Sequence, residues 1–314
     1  MKINPKIPTW QAHKTGTISA CMIAKNETKL LPRCINSLSG LVDEIILVDT
    51  GSTDNTPQLA RQLGCKVYHH DWQDDFAKAR NHSLSKATMD WILIVDPDEI
   101  IAQQDHFKIK RLTSQFEFKS FQIVTRNYGR SPTEQGFTPC KGVYKEEQDW
   151  PGYVLSNKTR FFLNHIGIKF YGCYHEMVDW HIVTNKIKAA STQIPIHHYS
   201  HEISQKSVEE KRNFYLRLAY KKVRENPQDD QAWWELGVTE TIAGFPYKAI
   251  QSMKMSLRKG YTQYKRLFTL SKLYKQTNDH EKYNFCFEKG ICKLYPALTH
   301  IEPHKKDFSS LNTP

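Results

Sequence analysis

Trp91-Ile-Leu-Ile-Val-Asp-Pro-Asp-Glu99 is the stretch from which the rest of the chain can be read. The five apolar residues from Trp91 to Val95 have the length of a buried strand. They run straight into carboxylates at Asp96 and Asp98. Side chains at i and i+2 beyond a strand end can reach one cation, directly or through water. Hard cations such as Mg²⁺ or Mn²⁺ prefer such oxygens and often share them with phosphates. Two aspartates so spaced also occur in ordinary surface loops, so the surrounding pattern has to decide.

Upstream, that pattern alternates strand and helix. Ile18 to Ala24, Glu44 to Val48 and Lys66 to His69 read as strands before Trp91 to Val95. Between them, Leu30, Leu31, Cys34, Ile35 and Leu38 follow a helical 3-4 spacing, with Asn26 as the expected cap and Gly40 as the stop. Thr56-Pro57 opens a second helix and Phe76 a third, which runs to Ala87. Strands separated by helices predict a parallel sheet, and such sheets bind ligands beyond the carboxyl ends of their strands. Lys25, Asn26 and Glu27, the loop from Asp49 through Gly51 and Ser52 to Asp54, and Asp96 to Glu99 should therefore converge there. Arg80, on the third helix, is suited to pairing with phosphate. Ser120 to Arg126, Thr159 to Leu163 and Ala189 to His197 read as later strands that complete the sheet and build a substrate-binding lobe.

From Ser207 the pattern turns helical. Trp233, Leu236, Gly237, Gly244, Ala249 and Leu257 resemble one tetratricopeptide repeat, with Pro227 six residues ahead of Trp233; Glu240, Met253 and Tyr261 depart from it. This region is either a helical cap on the first domain or a docking surface. The expected boundaries are residues 1–203 and 204–314, the last ending in a frayed tail from Glu302.

The chain has 314 residues and a net charge of +11, which favours anionic partners or simply gives a solvated basic surface. Its seven cysteines form no CxxC spacing, arguing against a disulfide framework or a zinc site and for reduced thiols in a cytoplasmic protein. The first 17 residues lack a signal-peptide core, and no run of about 18 apolar residues exists, so membrane contact is at most peripheral. No nucleic-acid motif is present.

The stretches Met22-Ile-Ala-Lys-Asn-Glu27, Val48 to Asp54, Asp75-Phe-Ala-Lys-Ala-Arg-Asn81 and Asp96-Pro-Asp-Glu99, in that order, resemble family 2 glycosyltransferases. The resemblance covers about residues 17–200. It implies a GT-A, Rossmann-like α/β domain, followed here by the all-helical repeat-like region. It implies an inverting transferase that moves a hexose from a UDP-sugar, with Mn²⁺ or Mg²⁺. By matching position, Asp49 contacts the nucleobase, Arg80 lies near the nucleotide and Asp98 is the closer metal ligand, beside Asp96. Tyr171-Gly-Cys-Tyr-His-Glu176 and Ile196-His-His-Tyr199 resemble segments of lipopolysaccharide-core glucosyltransferases and sublancin-type peptide S-glycosyltransferases. There a late histidine completes the metal or diphosphate site; His198 is the match and His197 the alternative. Arg160 is expected to help anchor the diphosphate.

The base that such a displacement needs is Glu176 first and His175 second. The acceptor is a saccharide, on lipopolysaccharide or glycolipid, or a peptide, and the helical region offers a site for a protein partner. The rival reading is a non-catalytic scaffold that uses the helices and the basic surface.

Overall fold

The computed structural model describes residues 15–115, 117–129, 131–133, 136–199, 205–259 and 264–294. Expectations for the polar amino terminus, for Tyr261 and for the tail fall outside these residues. The chain divides into two compact units, Met1–Glu202 and Ile203–Pro314.

The first unit is an α/β sandwich, as the strand-helix alternation implies. Its strands are β1 (Ile18–Ala24), β2 (Glu44–Asp49), β3 (Lys66–His69), β4 (Trp91–Ile94), β5 (Glu99–Ile100), β6 (Ser120–Gly129), β7 (Phe137–Pro139), β8 (Gly152–Leu163) and β9 (Ala189–His198). The helices among them are α1 (Leu31–Leu38), α2 (Thr56–Gln62), α3 (Phe76–Lys86), α4 (His106–Leu112) and α5 (Asp179–Thr184). One sheet runs β3-β2-β1-β4-β8-β6-β9-β5, with β7 alongside β8. The first four strands are parallel. β8 pairs antiparallel with both β4 and β6, and β5 antiparallel with β9.

Side-chain alternation divides the core between two faces of this sheet. Ala20, Met22, Trp91, Leu93 and Val95 pack with Leu31, Cys34, Ile35 and Leu38 of α1 and with Ile109 and Leu112 of α4. Cys21, Ile92 and Ile94 face the other way, onto Ala77 of α3 and Ile182 of α5. Helices on both faces bury the whole strand, which is why β1 and β4 are apolar almost without interruption. β2 and β3 lie on one side of β1 and β4 on the other, so the strand order switches direction at β1 and leaves a crevice beyond its carboxyl end.

Two local expectations change. Asn26 does not cap α1; it adopts φ +59° and ties two loops together, and α1 begins after Leu30 with a proline in its first turn. β6 and β8 are also longer than their apolar cores suggested, because their outer halves carry polar residues.

The second unit holds α6 (Gln205–Glu225), α7 (Asp230–Ile242), α8 (Pro246–Lys259), α9 (Tyr264–Gln276) and α10 (His280–Leu294). α7 and α8 are joined through Gly244, at φ +83°. A Cβ on Gly237 would come within 2.6 Å of Met253 Cγ, so the small residue permits close helix approach. The Trp233 indole donates to the Pro227 carbonyl at 3.0 Å, which accounts for their spacing in the sequence. Among the described residues no helix is long and apolar enough to cross a membrane. Cys21, Cys34, Cys65, Cys173 and Cys286 are buried free thiols, and Cys140 is a half-buried one.

Candidate active site

Beyond Ile94 the chain leaves the parallel sheet, makes a turn at Asp96, Pro97 and Asp98, and re-enters as β5 beside β9. This turn is knitted by charge. Glu99, 2% exposed, receives both ends of the Arg160 guanidinium at 2.9 and 3.1 Å and the Asp96 backbone N–H at 2.8 Å. Asp96 presents one oxygen to Arg80 at 2.8 Å and the other to Arg160 at 3.4 Å. The Arg80 Nε then donates to Glu176 at 2.5 Å. Three carboxylates and two guanidiniums thus alternate, and charge-assisted bonds of this kind are geometrically demanding. Burial raises the Asp96 carboxyl, but Arg80 and Arg160 outweigh it and hold the group well below the usual range. Burial, reinforced by Asp96 and Asp98, pushes Glu99 up despite Arg160.

The α3 motif explains how Arg80 arrives. Asp75 caps the helix by accepting from the Lys78 N–H. Ala77 and Ala79 are buried, so the helix lies close to the sheet. Asn81 clasps the backbone of Phe170 through both its N–H and C=O at 2.8 and 2.9 Å. Arg80 then projects into the corner, 5.6 Å above the Phe170 ring.

Asp98 points elsewhere. Its Oδ2 lies 3.1 Å from His198 Nε2, and both side chains keep about a quarter of their surface, 26% and 23%. Burial lowers the His198 pKa, but the bond and charge of Asp98 outweigh it and raise it overall. His197, one residue away, turns into the core, with Nδ1 2.6 Å from the Tyr128 hydroxyl, and burial pushes it down to about 3. Of the two late histidines, His198 is the one facing the carboxylate turn. Among the described residues no group of three or more His, Cys, Asp or Glu side chains is arranged to enclose a metal. An oxygen and an imidazole nitrogen side by side nonetheless fit a cation that takes few protein ligands and completes its shell with water and substrate phosphate.

The other predicted residues form a second cluster at the same edge. Asp49, 5% exposed, accepts from the Gly51 and Ser52 N–H groups at 3.2 Å and lies 3.5 Å from His69. The Asn26 amide oxygen accepts from the Thr53 N–H at 2.7 Å, and the Asn26 N–H donates to Ser52 Oγ at 3.0 Å. Asp54 accepts from Thr28 and Thr56, and the Glu27 N–H donates to Thr56. Asn26, Ser52 and Asp54 therefore fasten the loop after β1 to the loop after β2. Lys25 is exposed and Glu27 half-buried. Gly51, at φ +98°, permits the turn.

Glu176 sits in a tight turn closed by reciprocal bonds between Tyr171 and Met177 at 3.0 and 3.1 Å. His175 occupies φ +50°, its ring against Tyr174. Arg160 is 4% exposed, bonded to Glu99 and Asp96, and lines a small cavity with Arg80 and Glu176. Sequence reasoning missed one residue at the site. Asn127, in β6, bonds His198 Nδ1 at 2.8 Å across 71 residues of chain, and nothing local in the sequence signals it.

The sequence profile of glycosyl transferase family 2 matches residues 19–182. A TPR repeat-containing protein of Synechococcus elongatus is 38% identical over 162 residues, covering 52% of this chain and 35% of that protein. The SPbeta prophage-derived glycosyltransferase SunS of Bacillus subtilis is 23% identical over 266 residues, covering 82% of this chain and 57% of its own. The chain thus spans from about a third to just over half the length of these relatives. Among solved structures, S. aureus TarS 1-349 in complex with UDP-GlcNAc is 16% identical with a TM-score of 0.49, covering 87% of this chain and 90% of that one.

Proposed function

The chain belongs to glycosyl transferase family 2, and from that footing we propose that it transfers a hexose, with inversion, from a UDP-sugar to a saccharide or peptide acceptor. One observation carries the reading. The turn after β4 separates Asp96, bound to two arginines, from Asp98, which faces His198 and no arginine in the hydrogen bonds of the turn. Asp98 and His198 are the residues to hold Mn²⁺ or Mg²⁺. When bound, the cation supplies positive charge to the departing diphosphate.

The remaining roles follow from what each side chain touches. Asp49 and the backbone of the fastened loops at Gly51 and Ser52 receive the nucleoside, with Lys25 at the open rim. Arg80 and Arg160 fix Asp96 and so set the direction of the turn, and Arg80 is the nearer of the two to the nucleotide. Glu176 takes the acceptor proton; Arg80 holds its Oε1 and thereby fixes the direction of Oε2. His175 is the second candidate, in the same turn.

The test is hydrolysis and transfer of UDP-sugars with Mn²⁺ present. Asp98→Ala is expected to lower both by about 100-fold or more with an unchanged melting profile. Rates equal to wild type overturn the proposal. Glu176→Gln is expected to keep nucleotide binding and lose transfer; equal transfer rates reject Glu176 as the base.

A further inference from the structure

We infer that Asn127 is a positioning residue that sets the tautomer of His198, presenting Nε2 to the cation as a bare lone pair. The inference rests on the reading of Asp98 and His198 as cation ligands.

Asn127 lies in β6, between β8 and β9, in register with Val154 on one side and His198 on the other. Its amide bridges the two neighbours. Nδ2 is 3.0 Å from the Val154 carbonyl and 3.1 Å from Ser156 Oγ, while Oδ1 is 2.8 Å from His198 Nδ1. The direction of this bridge is fixed by chemistry. A backbone carbonyl only accepts, so the amide end that meets Val154 has to be the NH₂. The end that meets His198 is then the amide oxygen, which also only accepts. Nδ1 of His198 must carry the proton, and in a neutral imidazole the lone pair then belongs to Nε2.

That is the atom 3.1 Å from Asp98 Oδ2. With no metal bound, Nε2 meets that carboxylate by carrying a second proton, as an imidazolium; a cation that enters replaces this proton and takes the lone pair, while Nδ1 keeps its hydrogen on Asn127. Without Asn127, the imidazole is free to carry its hydrogen on Nε2 and donate it to Asp98, which closes the position to a metal. The arrangement is an outer-shell hydrogen bond of the kind that orients metal-bound histidines. Here its anchor is the backbone of a neighbouring strand.

The test uses the full chain and two variants, Asn127→Ala and Asn127→Asp; the aspartate keeps an acceptor for Nδ1. Histidine ¹⁵N spectra at a pH where His198 is neutral report its tautomer without any activity assay. Mn²⁺ titrated in the presence of UDP, followed by water proton relaxation, reports affinity. The expected result is hydrogen on Nδ1 in wild type and Asn127→Asp, hydrogen on Nε2 in Asn127→Ala, and Mn²⁺ binding about 10–100-fold weaker in the alanine variant. Hydrogen on Nε2 in wild type, or undiminished affinity in Asn127→Ala, overturns the inference alone. Failure of wild type to bind Mn²⁺ overturns the underlying cation reading, and the inference with it.

Discussion

Asp96 and Asp98 are two residues apart and of one type, yet their surroundings give them different work. Asp96 sits between two guanidiniums, and Asp98, equally exposed, meets an imidazole. The buried Glu99–Arg160 pair underlies that division. Glu99→Ala leaves Arg160 with only its longer contact to Asp96, and an uncompensated buried charge of this kind costs about 3–5 kcal/mol. Urea unfolding is expected to show a loss of that size, and a loss below about 1 kcal/mol counts against the pair as the anchor of the turn. The carboxylates themselves were legible in the sequence, because a strand followed by Asp-x-Asp is a local signal. Of their partners, Arg80, Arg160 and His198 were expected at the site from the family resemblance, without the pairings they make, and Asn127 was not expected at all. Arg160 lies 61 residues from Glu99 and Asn127 lies 71 from His198, so only the sheet order brings them together.

At the level of elements, the buried strands were the easiest to read. β1 falls where its apolar run places it, since a strand covered on both faces has few polar positions to blur it. β5 and β7, of two and three residues, are too short to carry a period. A polar residue inside a strand can still hold elements together. Glu44, in β2, accepts from Ser19 of β1, from Lys66 of β3 and from Thr88 after α3. Burial pushes its carboxyl up, but these bonds prevail and hold it at about 2, against an ordinary value of 4.5. A depressed folded-state value means stability that is present above about pH 4.5 and is lost as the pH falls toward 2. The contribution is on the order of 3 kcal/mol. Glu44→Gln is expected to flatten the stability profile between those limits, and an unchanged slope speaks against it. In the helical unit, Gly237→Ala sets a methyl against Met253, so a loss of about 1–3 kcal/mol is expected in thermal unfolding.

On the scale of the whole molecule, transferase and scaffold differ in how the protein responds to ligand. A donor site that uses Asp98 and His198 ties stability to the cation. UDP with Mn²⁺ at about 100 times the dissociation constant is expected to stabilise the first unit by about 2.7 kcal/mol. A chelator should abolish the gain, and Asp98→Ala should lack it; a shift that survives both sides with the scaffold. The sheet order has one more consequence, for how the protein is made. Within the sheet β5 pairs only β9, and Asp98 meets a histidine 100 residues further along. On a ribosome adding about 5–20 residues per second, that histidine emerges on the order of ten seconds after the aspartate. A nascent chain ending before residue 189 carries β1 to β4, the acidic turn and Arg160, but not β9, which pairs β5 and brings His198. Translation through β9 is therefore the step that completes the sheet and sets His198 beside Asp98.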